Sequence, residues 1–167
     1  ETISPPPTLN LYQNSGKDLE TLGKDLASAL KLTQSKYSPL SFSSNSESLS
    51  IDTYQNFIEY SLFSQEKVTS TTSQQEAEIA AKSFLVGINM EGAVSPTPSK
   101  VNYYIKDDEL HPTTPLKAEV VELIYQRRLD GSEVSIEAYT YQIIRVWVEN
   151  KNTVIKATFP TQLIPTI

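Results

Sequence analysis

Cysteine is absent from this 167-residue chain, which removes disulfides, thiolate nucleophiles and cysteine-ligated zinc or iron–sulfur sites together. Histidine occurs once, so no metal site built from several imidazoles can form. Glycine is scarce, and its five copies are scattered singly, which leaves no glycine-rich loop to cradle a phosphate. The abundant serines are not accompanied by a Gly-x-Ser-x-Gly elbow. Long apolar runs are missing as well. The stretches Phe84 to Ile88 and Ile143 to Val148 fall far short of the ~18–20 residues of a bilayer-spanning helix. Glu1 to Asn10 lacks the basic-then-apolar plan of a secretory signal. Nor is there an excess of positive charge. The net charge is −6 with the acids dispersed, so no extended basic surface is available to follow a phosphate backbone. Nucleic acid is therefore not an expected partner. The nearest basic cluster, Arg127 and Arg128, reads as ordinary strand residues that point to opposite faces.

What remains is rich in Ser and Thr, with ten prolines and nine tyrosines, and long enough to bury a core. This composition leans toward an extracytoplasmic location. Residues 1–10, with their proline run Pro5 to Pro7, read as a linker favouring polyproline II, and residues 161–167 as a tail.

Between these ends one supersecondary pattern is written twice. In the first unit, residues 11–66, Leu19, Leu22, Leu26 and Leu30 recur at helical spacing from Gly16 to Leu32, with Ser15 and Asp18 as a weak capping pair. Three short alternating stretches follow, carrying Leu40 and Phe42, then Leu49 and Ile51, then Ile58, Tyr60 and Leu62. They predict an antiparallel meander that is apolar on one face and hydroxylated on the other. The second unit, residues 67–160, restarts with the capping box Ser73-Gln74-Gln75-Glu76. Ala77, Ala80, Ala81, Phe84, Leu85 and Ile88 then mark a helix expected to stop near Gly92. Strands are expected at Val101 to Ile105 and Val121 to Tyr125, with a hairpin at Asp130-Gly131 returning through Val134, Ile136 and Ala138. A further strand carries Arg145 and Trp147 opposite Ile144, Val146 and Val148, and a last one carries Ile155, Ala157 and Phe159. The fold class is α+β, two consecutive units of one helix packed on an antiparallel sheet.

The Ala-rich helix from Glu76 to Asn89, the paired tyrosines of Val101 to Ile105, the segment Tyr125-Gln126-Arg127-Arg128, the turn Leu129-Asp130-Gly131 and the closing Ile143 to Phe159 hairpin resemble the PepSY-like repeats. The duplicated arrangement is similar to that of the extracytoplasmic regulators YycH and YycI. This resemblance implies a tethered ectodomain that regulates by protein contact and has no catalytic residues to carry over.

Candidate chemistry is sparse. His111 with Asp107, Asp108 and Glu109 is the one place where imidazole and carboxylates crowd together, and a small enzyme with a helix-on-sheet cavity would use His111 and Asp108. These residues sit in a proline-flanked loop, where desolvation is weak. Glu119 with Glu122 and Glu133 with Glu137 are carboxylate pairs whose strand spacing need not place both on one face. The aromatic set is more informative. Tyr103, Tyr139, Tyr141 and Trp147 offer a rigid amphipathic contact surface if their face is uncovered. The leading expectation is a non-enzymatic binding or regulatory module that meets a protein of the cell envelope through this surface or through sheet edges, with no cofactor and no metal. A structural subunit of a surface assembly is the remaining alternative.

Overall fold

The computed structural model describes residues 19–54, 57–63, 67–129, 132–133 and 143–160. The linker, the tail, the Ser15–Asp18 cap and the segment with Tyr139 and Tyr141 lie outside them. Among the described residues there are two helices, α1 (Leu19–Leu30) and α2 (Gln74–Gly87). The strands are β1 (Thr33–Gln34), β2 (Ser41–Ser43), β3 (Glu47–Asp52), β4 (Phe57–Leu62), β5 (Lys100–Lys106), β6 (Leu110–Pro112), β7 (Val120–Tyr125), β8 (Arg128–Leu129), β9 (Ser132–Glu133), β10 (Ile144–Glu149) and β11 (Thr153–Pro160).

Nine of these strands form one antiparallel sheet in the order β1-β2-β3-β4-β11-β10-β7-β5-β6, and β8 pairs with β9 separately. The halves therefore do not build two sheets. The last strand, β11, returns to lie between β4 of the first half and β10 of the second. Register then carries one apolar row across six strands, Leu49–Tyr60–Ala157–Val146–Leu123–Val101. Alternate residues of a strand share a face, so this row and its neighbours Ile51, Ile58, Phe159 and Ile144 make one continuous buried surface. Both helices lie on it. α1 packs on β1, β2 and β3, and α2 packs on β7, β10 and β11.

The small residues of each helix decide how closely it sits. Ala77 and Ala81 are fully buried, which lets α2 approach the sheet. In α1 the same purpose is served by Gly23, where an added Cβ would stand 2.6 Å from Phe42 Cε2 and 2.9 Å from Ile51 Cδ1. The ring of Phe84 bridges the two halves, with its centroid 5.0 Å from Tyr60 on β4 and 6.5 Å from Phe159 on β11.

The predicted capping box is present. Ser73 Oγ accepts from Glu76 N at 3.3 Å, and Glu76 Oε2 accepts from Ser73 N at 2.9 Å. These bonds to Ser73 hold the Glu76 carboxyl below its usual range. The helix ends at Gly87 rather than near Gly92, because Asn89 turns left-handed (φ 58°). Met90 N then bonds Leu85 O and Asn89 N bonds Val86 O, a Schellman closure. α1 closes in the same way, with Lys31 at φ 58°, Leu32 N bonding Ala27 O and Lys31 N bonding Ser28 O. A lysine tolerates this conformation poorly. Lys31→Gly is expected to raise stability by about 1 kcal/mol, measured by urea denaturation, and a loss would show that the lysine side chain contributes more than the strain costs.

Further differences have local causes. β1 was not foreseen, since two residues carry no readable period. The expected Ile155, Ala157, Phe159 face holds only for the last two. A bulge between Trp147 and Val148 sets Val154 opposite Val148 and Lys156 opposite Trp147, so Val154 enters the core and Ile155 is the extra residue. The excursion from Asp107 to Pro115 is not all loop, because β6 within it pairs His111 with Ile105.

Candidate binding surface on the helix-free face

With both helices on one side, the other side of the sheet keeps the alternate residues of each strand. On β3, β4 and β11 these are Ser48, Ser50, Glu59, Ser61, Lys156 and Thr158, the polar partners of the buried row. At the centre lies Trp147, in register with Glu122 of β7 on one side and Lys156 of β11 on the other. The Lys156 ammonium stands 5.7 Å from the indole centroid and 2.7 Å from Glu59 Oε2. A cation over an indole face is attracted by the ring quadrupole. Lys156 reaches this face through the regular register of Ala157 with Val146, and the bulge beyond it turns Val154 to the helix side.

Toward β5 the face becomes a buried polar network. Glu122 Oε2 accepts from Asn102 Nδ2 at 2.7 Å and from the Tyr104 hydroxyl at 2.9 Å, and Arg145 Nη1 lies 3.4 Å from Oε1. Burial, then the Glu122 carboxylate, push the Tyr104 phenol above its usual range, so it remains a donor. Glu149 is fully buried, and its Oε2 accepts from Lys106 Nζ at 2.7 Å. Three cations of this face, Lys156, Arg145 and Lys106, thus each meet a carboxylate. Charges taken this far out of water need such partners. The chain carries a readable signal for the network, acids interrupting apolar runs at Val121-Glu122-Leu123 and Val148-Glu149; of the two, only Glu122 is legible as a candidate, in a catalytic pair with Glu119, and Glu149 carries no such mark.

The residues proposed as a contact surface separate. Trp147 lies on the helix-free face, half-buried. Tyr103 pairs with Val121 on the opposite face, packs against the core and donates its hydroxyl to Gln74 Oε1 at 2.9 Å, tying β5 to the start of α2. Tyr139 and Tyr141 fall outside the described residues. No protein-family model, curated protein or solved structure matches this chain.

His111 and Asp108 are both exposed on the β5–β6 hairpin. Glu119 does not converge with Glu122: its Oε2 accepts from the backbone N of Lys106 at 2.8 Å, while Glu122 is held in the network above. Glu137 lies outside the described residues. No group of three or more acidic or imidazole side chains suited to a metal occurs among the described residues, and no helix there is long and apolar enough to cross a membrane. The sheet edges are short. β1 has two residues, and β6 has three that end in Pro112, which lacks a backbone donor.

Proposed function

We propose that this domain is a non-enzymatic binding module of the cell envelope, outside the cytoplasm, that regulates by contact with a protein partner. The contact surface is the helix-free face centred on Trp147. The observation that carries this reading is the placement of both helices on one side of the sheet, which leaves the chain's single tryptophan on the other among ion-paired side chains. A half-exposed indole framed by charged and hydroxyl groups has the make-up of an interface anchor, with apolar area at the centre and a polar rim. The edges are a poorer surface, since their few free backbone groups and Pro112 limit strand addition.

The same reading takes the two halves as tandem PepSY-like units. Its support is the repeated order of a helix followed by antiparallel strands, α1 before β1 to β4 and α2 before β5 to β11.

Trp147→Ala tests the surface. Capture of the envelope partner is expected to weaken by about 30-fold, the effect of losing an interface anchor worth about 2 kcal/mol. Tyr103→Phe, on the opposite face, should leave capture unchanged. Because Trp147 is the only tryptophan, its emission should also shift to the blue when the partner covers it. Undiminished capture by a folded Trp147→Ala protein would refute the assignment.

A further inference from the structure

On the helix-bearing side, α2 does not cover β3 and β4 completely. An open groove of about 780 Å³ lies between them, lined in part by Lys151 and Asn152 of the β10–β11 turn. That volume falls within the ~300–1,000 Å³ of small-molecule sites. Its walls are largely apolar, from Ile79, Ala80 and Phe84 of α2, Tyr60 and Leu62 of β4 and Val154 of β11. Ile79 is 62% exposed at the mouth.

One charged group in this trough, Glu47, forms no ion pair among the described residues. Glu47 is half-buried, and its Oε1 accepts the buried Tyr60 hydroxyl at 2.8 Å, while Ser44 Oγ lies 3.5 Å from Oε2. The other carboxylate of the groove, Glu76, has Lys151 Nζ at 3.5 Å, and each acid of the helix-free network is likewise paired. A lone carboxylate against apolar walls presents a field that water screens less than at an open surface. Burial, then Glu47 itself, push the Tyr60 phenol well above its usual range, so the hydroxyl stays a donor to Glu47.

We propose that this groove binds a small organic cation with an apolar body, its ammonium head taken by Glu47 and its apolar part by Ile79, Ala80 and Phe84. The site lies across the sheet from Trp147 and does not depend on the proposed partner contact.

The probe is octylammonium, with octanol and octanoate as neutral and anionic counterparts of the same chain. NMR titration of the folded protein should show shifts at Ile79, Ala80, Leu62 and Val154, with octylammonium bound about tenfold more tightly than octanol and octanoate weakest. Glu47→Gln keeps an acceptor for Tyr60 and should abolish the preference for the ammonium. Ile79→Lys, at an exposed position, should weaken octylammonium while leaving the fold intact. Equal binding of the three probes, a preference that survives Glu47→Gln, shifts confined to other surfaces, or no binding would each overturn the proposal. So would binding of a lysine-bearing apolar peptide by a protein that ignores octylammonium, since the occupant would then be a segment of a partner protein.

Discussion

Phe159→Ala is expected to destabilise the protein by about 3–5 kcal/mol and to lower Tm by roughly 10 °C. Phe159 is among the largest fully buried side chains, and it stands where the two halves meet. It is in register with Ile58 of β4, and its ring lies nearly parallel to that of Phe84 on α2, with an interplanar angle of 10°. Truncation would therefore open a cavity touching β4, β11 and α2 together, where no single element can collapse to fill it. Thr158→Ala, one residue away and on the helix-free face, should cost no more than about 0.5 kcal/mol. Both proteins should unfold in a single transition by calorimetry and by circular dichroism, because β11 is hydrogen-bonded to both halves. Two separated transitions in the variant would show that the halves are independent folding units and that Phe159 is not their common support.

The second large effect concerns the buried acid at the end of β10. Lys106→Met should cost about 2–3 kcal/mol, measured from the urea midpoint at neutral pH; the Lys106 side chain is 31% exposed, so the loss falls below the ~3–5 kcal/mol of a fully buried pair. The cost arises because Glu149, with no exposure of its own, would keep its charge with its cation removed. Lys106→Met combined with Glu149→Leu should recover most of the loss, since neither charge then has to be desolvated. A Lys106→Met protein as stable as its parent at neutral pH, or a double variant no more stable than the single one, would show that the ion pair does not hold this corner of the sheet.

Much of the local structure was legible because its causes are local. The capping box at Ser73 and Glu76 and the alanine spacing of α2 depend on neighbours a few residues away, and the chain states them directly. Period-two alternation located β3, β4, β5, β7 and β10 and assigned Arg145 and Trp147 to the face opposite Ile144, Val146 and Val148. Where local rules compete, the reading slipped. Asn89 stopped α2 before the glycine expected to do so, and an extra residue in β11 reversed which of Val154 and Ile155 faces the core.

The candidate surfaces were less legible. Alternation says that Tyr103 and Tyr104 diverge, yet it cannot say which of them shares a face with Trp147, some forty residues on. That depends on the pairing of β5 with β7 and β7 with β10, which sets Tyr104 beside Glu122 and sends Tyr103 to α2. The groove beside Glu47 rests on contacts still more distant in sequence, between the first hairpin and the turn before β11.

The sequence by itself determined that this chain makes two amphipathic helices and a set of antiparallel strands, those of the first half apolar on one face, without cysteine chemistry or a basic nucleic-acid face. Those properties follow from composition and from periods of two and 3.6 residues. Only the tertiary structure decided that the strands join into one sheet through β11, that both helices share one side, and that Glu122 and Glu149 are buried beside half-exposed cations while Glu47 forms no ion pair among the described residues. Each of these depends on register between strands far apart in the chain, where a shift of one residue would turn every side chain to the other face.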